Sequence, residues 1–162
     1  MRKILSIDSS KGSILYRPTK NLTKVTESDI KLMHEMVAIM QKHEGVGLAA
    51  NQIGESKSIF VFINMSDAEK PRIEAIINPA MEWQSKETEP SLEACLSLPG
   101  RSFIVERSSQ IRLRHGLKQE KLLELKGLSA RIAAHESSHL DGILVSDVAD
   151  NEVSITENVV TL

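Results

Sequence analysis

The stretch Leu128-Ser129-Ala130-Arg131-Ile132-Ala133-Ala134-His135-Glu136-Ser137-Ser138-His139-Leu140 has helical periodicity, is halted near Gly142, and carries an H-E-x-x-H pattern at His135–His139. Residues four apart share one face of a helix. Both imidazoles can therefore converge on one ion, with Glu136 beside them as a base for water. The competing reading is two histidines that fell at this spacing by chance on a solvated face.

Outward from this helix the chain changes character. A second amphipathic helix is predicted from Thr26 to about Glu44, with Ile30, Met33, Met36, Val37 and Met40 as its apolar stripe. It runs out at Gly45-Val46-Gly47, where a tight loop is expected. Between the helices, Ser58 to Asn64, Ile73 to Asn78, Phe103 to Val105, Ile111 to Arg114 and Leu122 to Leu125 read as strands. Lys118 to Lys126 alternates charges with leucines, as a half-exposed strand pair would. Ile143 to Leu162 looks extended or irregular, and Val153-Ser154-Ile155-Thr156 suits a short closing strand or a frayed end equally. The pattern is α+β, and 162 residues without a repeat or linker suit one domain, 1–162.

Composition narrows the functional classes. Lys+Arg 20 against Asp+Glu 22 leaves a net charge of -2, so neither nucleic acid nor an anionic membrane is an expected partner. No apolar run has the length needed to span a bilayer, and Asp8 interrupts the N-terminal apolar stretch before it reaches signal-peptide length. With one cysteine there is no internal disulfide, which leaves Cys95 as a core thiol, a nucleophile or a metal ligand. Two histidines on a catalytic ion call for a third protein ligand and an open fourth position, and Cys95 is the natural candidate.

Three segments, in order, carry a resemblance. Gly45-Val46-Gly47-Leu48-Ala49-Ala50-Asn51-Gln52 is similar to the G-x-G-L-A-A-x-Q of peptide deformylases. Glu93-Ala94-Cys95-Leu96-Ser97 is similar to their E-G-C-L-S, and His135–His139 to their H-E-x-D-H. The resemblance runs from about Leu15 to Asp147 and implies antiparallel strands wrapped around the motif helix. It makes Cys95, His135 and His139 the metal ligands and Glu136 the catalytic acid/base. It assigns the Gln52 carboxamide and the Leu96 backbone N–H to the developing oxyanion. The implied substrate is the N-formylmethionine end of new polypeptides, with Gly45, Val46, Gly47, Ile132 and Arg101 contacting it. Val46, Leu96, Ile132 and the His135 ring would form the methionine pocket. One divalent ion is implied, Fe(II) by family expectation, although a thiolate with two imidazoles also accepts Zn(II), Ni(II) or Co(II). The expected setting is a bacterial cytoplasm, an organelle or a phage-infected cell.

The chain departs from the family pattern at Ser138, Ala94 and Ala134, and Arg101 stands one position before the family's usual arginine. With Ser138 in place of a carboxylate, Arg107 is left to find another partner, for which Glu93 is the candidate. These changes keep open a related hydrolase with another N-acyl substrate and a non-catalytic binding protein. A zincin-type protease is weaker, since no histidine lies downstream to complete its ligand set. Some deformylases end in a long basic helix that docks on the ribosome, but Asp147 to Leu162 holds acidic and no basic residues, so no strong docking tail is expected. His34, His43 and His115 read as ordinary surface or helix-end histidines.

Overall fold

The computed structural model describes residues 1–10 and 12–153. The first long helix, α1 (Glu27–Lys42), starts at a capping box in which the Asp29 N–H and the Thr26 hydroxyl meet at 3.3 Å while the Thr26 N–H donates to the Asp29 carboxylate at 2.8 Å. Lys57 Nζ donates to the same carboxylate from outside the helix at 2.5 Å. The buried face of α1 is Leu32, Met36, Ile39 and Met40, with Met33 and Val37 partly buried. Ile30, expected in the apolar stripe, is 46% exposed, because it lies one helical position off that face.

The chain does not form the expected loop after Gly47. Instead Gly47–Ala49 is a short buried strand, β1, followed by a 3-10 turn over Ala50–Ile53. β1 pairs antiparallel with β2 (Ile59–Asn64), which pairs with β3 (Arg72–Ile77). The uninterrupted apolar run of β2 reflects burial on both faces. Phe60 and Phe62 pack toward the motif helix, and Ile59 and Val61 toward α1. Asn78 then turns the chain at φ 50°, its carboxamide bonded to both the N–H and the carbonyl of Leu22 at 2.8 Å.

Two strands lack a strong sequence signal: β4 (Ala80–Gln84) and β5 (Thr88–Ala94). Both are exposed over most of their length, so neither has the apolar alternation that marks a half-buried strand. β6 (Ser102–Ser108) is longer than expected, and β7 (Gln110–His115) and β8 (Lys121–Lys126) follow. Lys118 to Lys126 contributes one strand, whose partner is β7. These strands form two further antiparallel sheets, in the orders β4-β7-β8 and β5-β6-β9, with β9 at Asn151–Val153.

The motif helix, α2 (Gly127–Leu140), packs Ala130, Ile132, Ala133 and Leu140 against Phe60, Phe62, Ile111, Leu113 and Leu125, so strands from two sheets enclose it. It stops at Gly142, whose φ of 76° lies in the left-handed region and where a Cβ would stand 2.8 Å from the Arg17 backbone nitrogen. The following segment, read as extended, contains a four-residue helix, α3 (Val145–Val148), which buries Val145 beside Leu15, Leu98 and Phe103. Of the expected closing strand, Val153 lies in β9, and 154–162 fall outside the described residues. Among the described residues no helix is long and apolar enough to cross a membrane.

Candidate metal centre

Four chain segments meet at one cleft of about 870 Å³. α2 supplies Ile132, His135 and Glu136. The turn after β5 supplies Cys95 and Leu96. The link from α1 into β1 supplies Gly45, Val46 and Gly47, and the 3-10 turn supplies Gln52. Arg101 stands at the mouth, bonded to Glu152 of β9 at 2.7 and 2.9 Å, so its guanidinium already has a partner. His43, read as an ordinary helix-end residue, also lines this mouth.

Cys95, His135 and His139 are all buried, and each presents a ligand atom within 4.8 Å of the other two. Cys95 Sγ lies 3.2 Å from His139 Nε2, and the two imidazole centroids are 5.0 Å apart. One thiol and two imidazoles at this spacing fit a divalent metal ion, and the cleft leaves a side open for a further ligand. A second feature supports the fit: Glu136 Oε2 is buried without a protein hydrogen-bond partner among the described residues. Buried carboxylate oxygens are rarely left so, and this one suits water or substrate at the same centre.

Glu93 organises the surroundings. Its Oε1 accepts from Arg107 Nε at 2.7 Å and Arg131 Nη1 at 2.7 Å, and its Oε2 from Arg107 Nη2 at 3.0 Å and His135 Nδ1 at 2.9 Å. The last bond turns the other ring nitrogen of His135 toward Cys95 and His139, which is how outer carboxylates orient metal-binding imidazoles. Arg107 thus has its carboxylate despite Ser138, whose hydroxyl donates to the Ala134 carbonyl at 2.8 Å. Arg131 also donates to the carbonyls of Val105 and Glu89, tying α2 to β5 and β6. It escaped the sequence reading, although its position four before His135 places it on the same helix face.

Burial is the largest influence on Glu93, His135, Glu136 and His139, but not always the deciding one. It pushes the Glu136 carboxyl up to about 7, and it drives His139 well below its ordinary value. For Glu93 burial is outweighed by the hydrogen bonds from His135 and Arg107, which hold its carboxyl down at about 2. Burial likewise opposes a proton on His135, yet neighbouring Cys95 and Glu93 raise it to about 10.

Gly47 touches the centre most closely from the β1 side. A Cβ there would lie 2.8 Å from Glu136 Cδ, so only a bare backbone lets the carboxylate stand where it does. From the adjoining turn, the Ala49 N–H donates to Gln52 Oε1 at 2.8 Å, and Gln52 Nε2 donates to Ser97 Oγ at 3.2 Å, with Cys95 Sγ 3.6 Å away. Asn51 Nδ2 donates to the His139 carbonyl at 2.5 Å.

Comparison with known proteins shows the family and the fold. The polypeptide deformylase family model matches residues 1–154. The peptide deformylase of Natranaerobius thermophilus is 36% identical over 149 residues, covering 91% of this chain and 93% of the relative. That of Pseudothermotoga lettingae is 38% identical over 139 residues, covering 83% and 77%. Among solved structures, the peptide deformylase of Thermotoga maritima superposes with a TM-score of 0.83 at 32% identity, covering 93% of this chain and 99% of that one. A probable peptide deformylase from Synechococcus phage S-SSM7 gives 0.82 at 29% identity, covering 91% and 99%. With a family match over nearly its whole length and a relative 36% identical over 91% of it, this chain belongs to the peptide deformylase family.

Proposed function

We propose that this protein hydrolyses the formyl group from N-formylmethionine at the start of newly made polypeptides, as one domain over 1–162. The observation that carries this reading is the meeting, in one cleft, of three buried metal donors, an unpartnered Glu136 oxygen and the Gln52 carboxamide.

Cys95, His135 and His139 would hold the ion, for which Fe(II) is our choice over Zn(II), Ni(II) or Co(II). When bound, it supplies Lewis acidity that makes water nucleophilic near neutral pH. Glu136 accepts a proton as water attacks the formyl carbon and returns it to the nitrogen as the C–N bond breaks, so that formate and a free amine leave. Gln52 Nε2 and the Leu96 N–H stabilise the negative charge that develops on the formyl oxygen. Val46, Leu96, Ile132 and the His135 ring, all on the cleft wall, take the methionine side chain. Among the described residues β1 pairs only with β2 and β5 only with β6, so two free strand edges border the cleft and suit an extended peptide. Gly45 and Gly47 let the peptide backbone approach, and Arg101 flanks its exit. The corresponding setting is the compartment where formylated polypeptides are made, a bacterial or phage-infected cytoplasm or an organelle.

A panel of N-formyl and N-acetyl methionyl peptides tests the substrate. An extra methyl at the carbonyl should slow turnover by roughly 10–200-fold. Equal cleavage of both would contradict a formyl-selective site.

A further inference from the structure

We propose that Ser97 is a positioning residue whose hydroxyl sets the orientation of the Gln52 carboxamide. This rests on the deformylase reading for the purpose of Gln52, while the geometry itself does not depend on it.

The carboxamide cannot be the other way round. The Ala49 backbone N–H can only donate, so the atom it meets at 2.8 Å is the oxygen, and the nitrogen must lie at the far end. That nitrogen has two hydrogens and two neighbours, Ser97 Oγ at 3.2 Å and Cys95 Sγ at 3.6 Å. Thiol sulfur is the weaker acceptor and the more distant. The hydroxyl therefore anchors one hydrogen, and the other stays on the Cys95 side, where the formyl oxygen would arrive. Ser97 is 0% exposed and Gln52 2%, so bulk water does not compete for either bond.

The two backbones are held independently of this bond. The Leu5 N–H donates to the Gln52 carbonyl at 2.8 Å and the Ile7 N–H to the Ser97 carbonyl at 3.2 Å, so one N-terminal segment ties both loops together. Within the second loop the Leu98 N–H donates to the Cys95 carbonyl at 2.9 Å, closing the turn that contains Ser97. Loss of the hydroxyl alone therefore leaves both loops in place. It frees the outer end of the carboxamide, whose terminal torsion is broad and weakly restrained.

The test is Ser97→Ala, read in two ways. In the wild-type protein, nitrogen-15 NMR should show two distinct, slowly exchanging Gln52 side-chain protons, and the variant should exchange them at least about tenfold faster. With a formyl-Met tripeptide, kcat should fall about tenfold, less than the roughly 10²–10³ that follows removal of a whole oxyanion donor, with KM and melting temperature nearly unchanged. In a Gln52→Ala background the same change should cost nothing further, because Ser97 acts through Gln52. Unchanged exchange and kcat in Ser97→Ala would overturn the proposal, as would an equal loss with and without Gln52. A wild-type protein that fails to cleave formyl peptides, yet shows Ser97-dependent exchange, would sink the deformylase reading and leave the orienting bond standing.

Discussion

Glu93 Oε2 and His135 Nδ1 lie 2.9 Å apart, and the same carboxylate holds the guanidinium groups of Arg107 and Arg131. One buried anion thus orients the His135 imidazole and neutralises two arginines. Glu93→Gln should weaken metal affinity by roughly 10–100-fold, measured by chelator competition. Because both arginines are largely buried, the variant should also lose about 3–5 kcal/mol in denaturant unfolding. Unchanged affinity would show that His135 is oriented by something else.

The position of Ser138 invites the converse experiment. Since Arg107 is already bonded through two nitrogens to Glu93, a carboxylate at 138 has no unpaired guanidinium to rescue. Ser138→Asp should therefore raise metal affinity by far less than the roughly tenfold typical of a missing outer partner. A gain of that size would mean that Glu93 does not compensate.

Gly47 abuts the Glu136 side chain. Gly47→Ala should push the carboxylate aside and lower kcat on the order of 10²-fold, in the range expected for a lost general base. Metal content by elemental analysis should not change, since none of the three donors is displaced. Full activity in this variant would place the working carboxylate elsewhere.

Far from the cleft, Asp29 links the start of α1 to Lys57. The hydrogen bonds from Lys57 and Thr26 hold its carboxyl at about 2, below the ordinary 3.8. A carboxyl lowered on folding stabilises the protein above its unfolded value and loses that contribution as the pH falls through the folded one. Asp29→Asn should therefore lower the melting temperature at about pH 5, and the gap to wild type should close toward about pH 2. A gap that does not depend on pH would trace the loss to packing.

How much was legible in the sequence depended on where each element buries its side chains. α1, α2 and β7 present apolar residues at a definite period and β2 is an uninterrupted apolar run, and the sequence located all four. β4 and β5 are exposed edge segments held by backbone pairing, with β7 and β6 respectively, rather than by a buried face, so local pattern carried no signal for them. The same division holds in the cleft. The cysteine, the two histidines, Glu136 and Gln52 stand in short motifs and could be named in advance. Arg131 stands in no motif, and Ser97 ends the second motif without a role being legible there; the part each plays comes from what the fold brings beside it, Glu93 in one case and Gln52 in the other. The partner of Arg107 was inferable from the missing carboxylate at 138, whereas the ion pair between Arg101 and Glu152 needed the register of β9 on β6.

The most direct measurement is formate release from a formyl-Met tripeptide by anaerobically purified protein, with metal content assayed alongside, for wild type, Glu136→Ala and Cys95→Ala. The expected result is turnover in the wild type with one divalent ion per chain, loss of turnover with the ion retained in Glu136→Ala, and loss of both in Cys95→Ala. Metal-loaded wild-type protein that releases no formate, or Cys95→Ala protein that keeps its ion, would contradict the account.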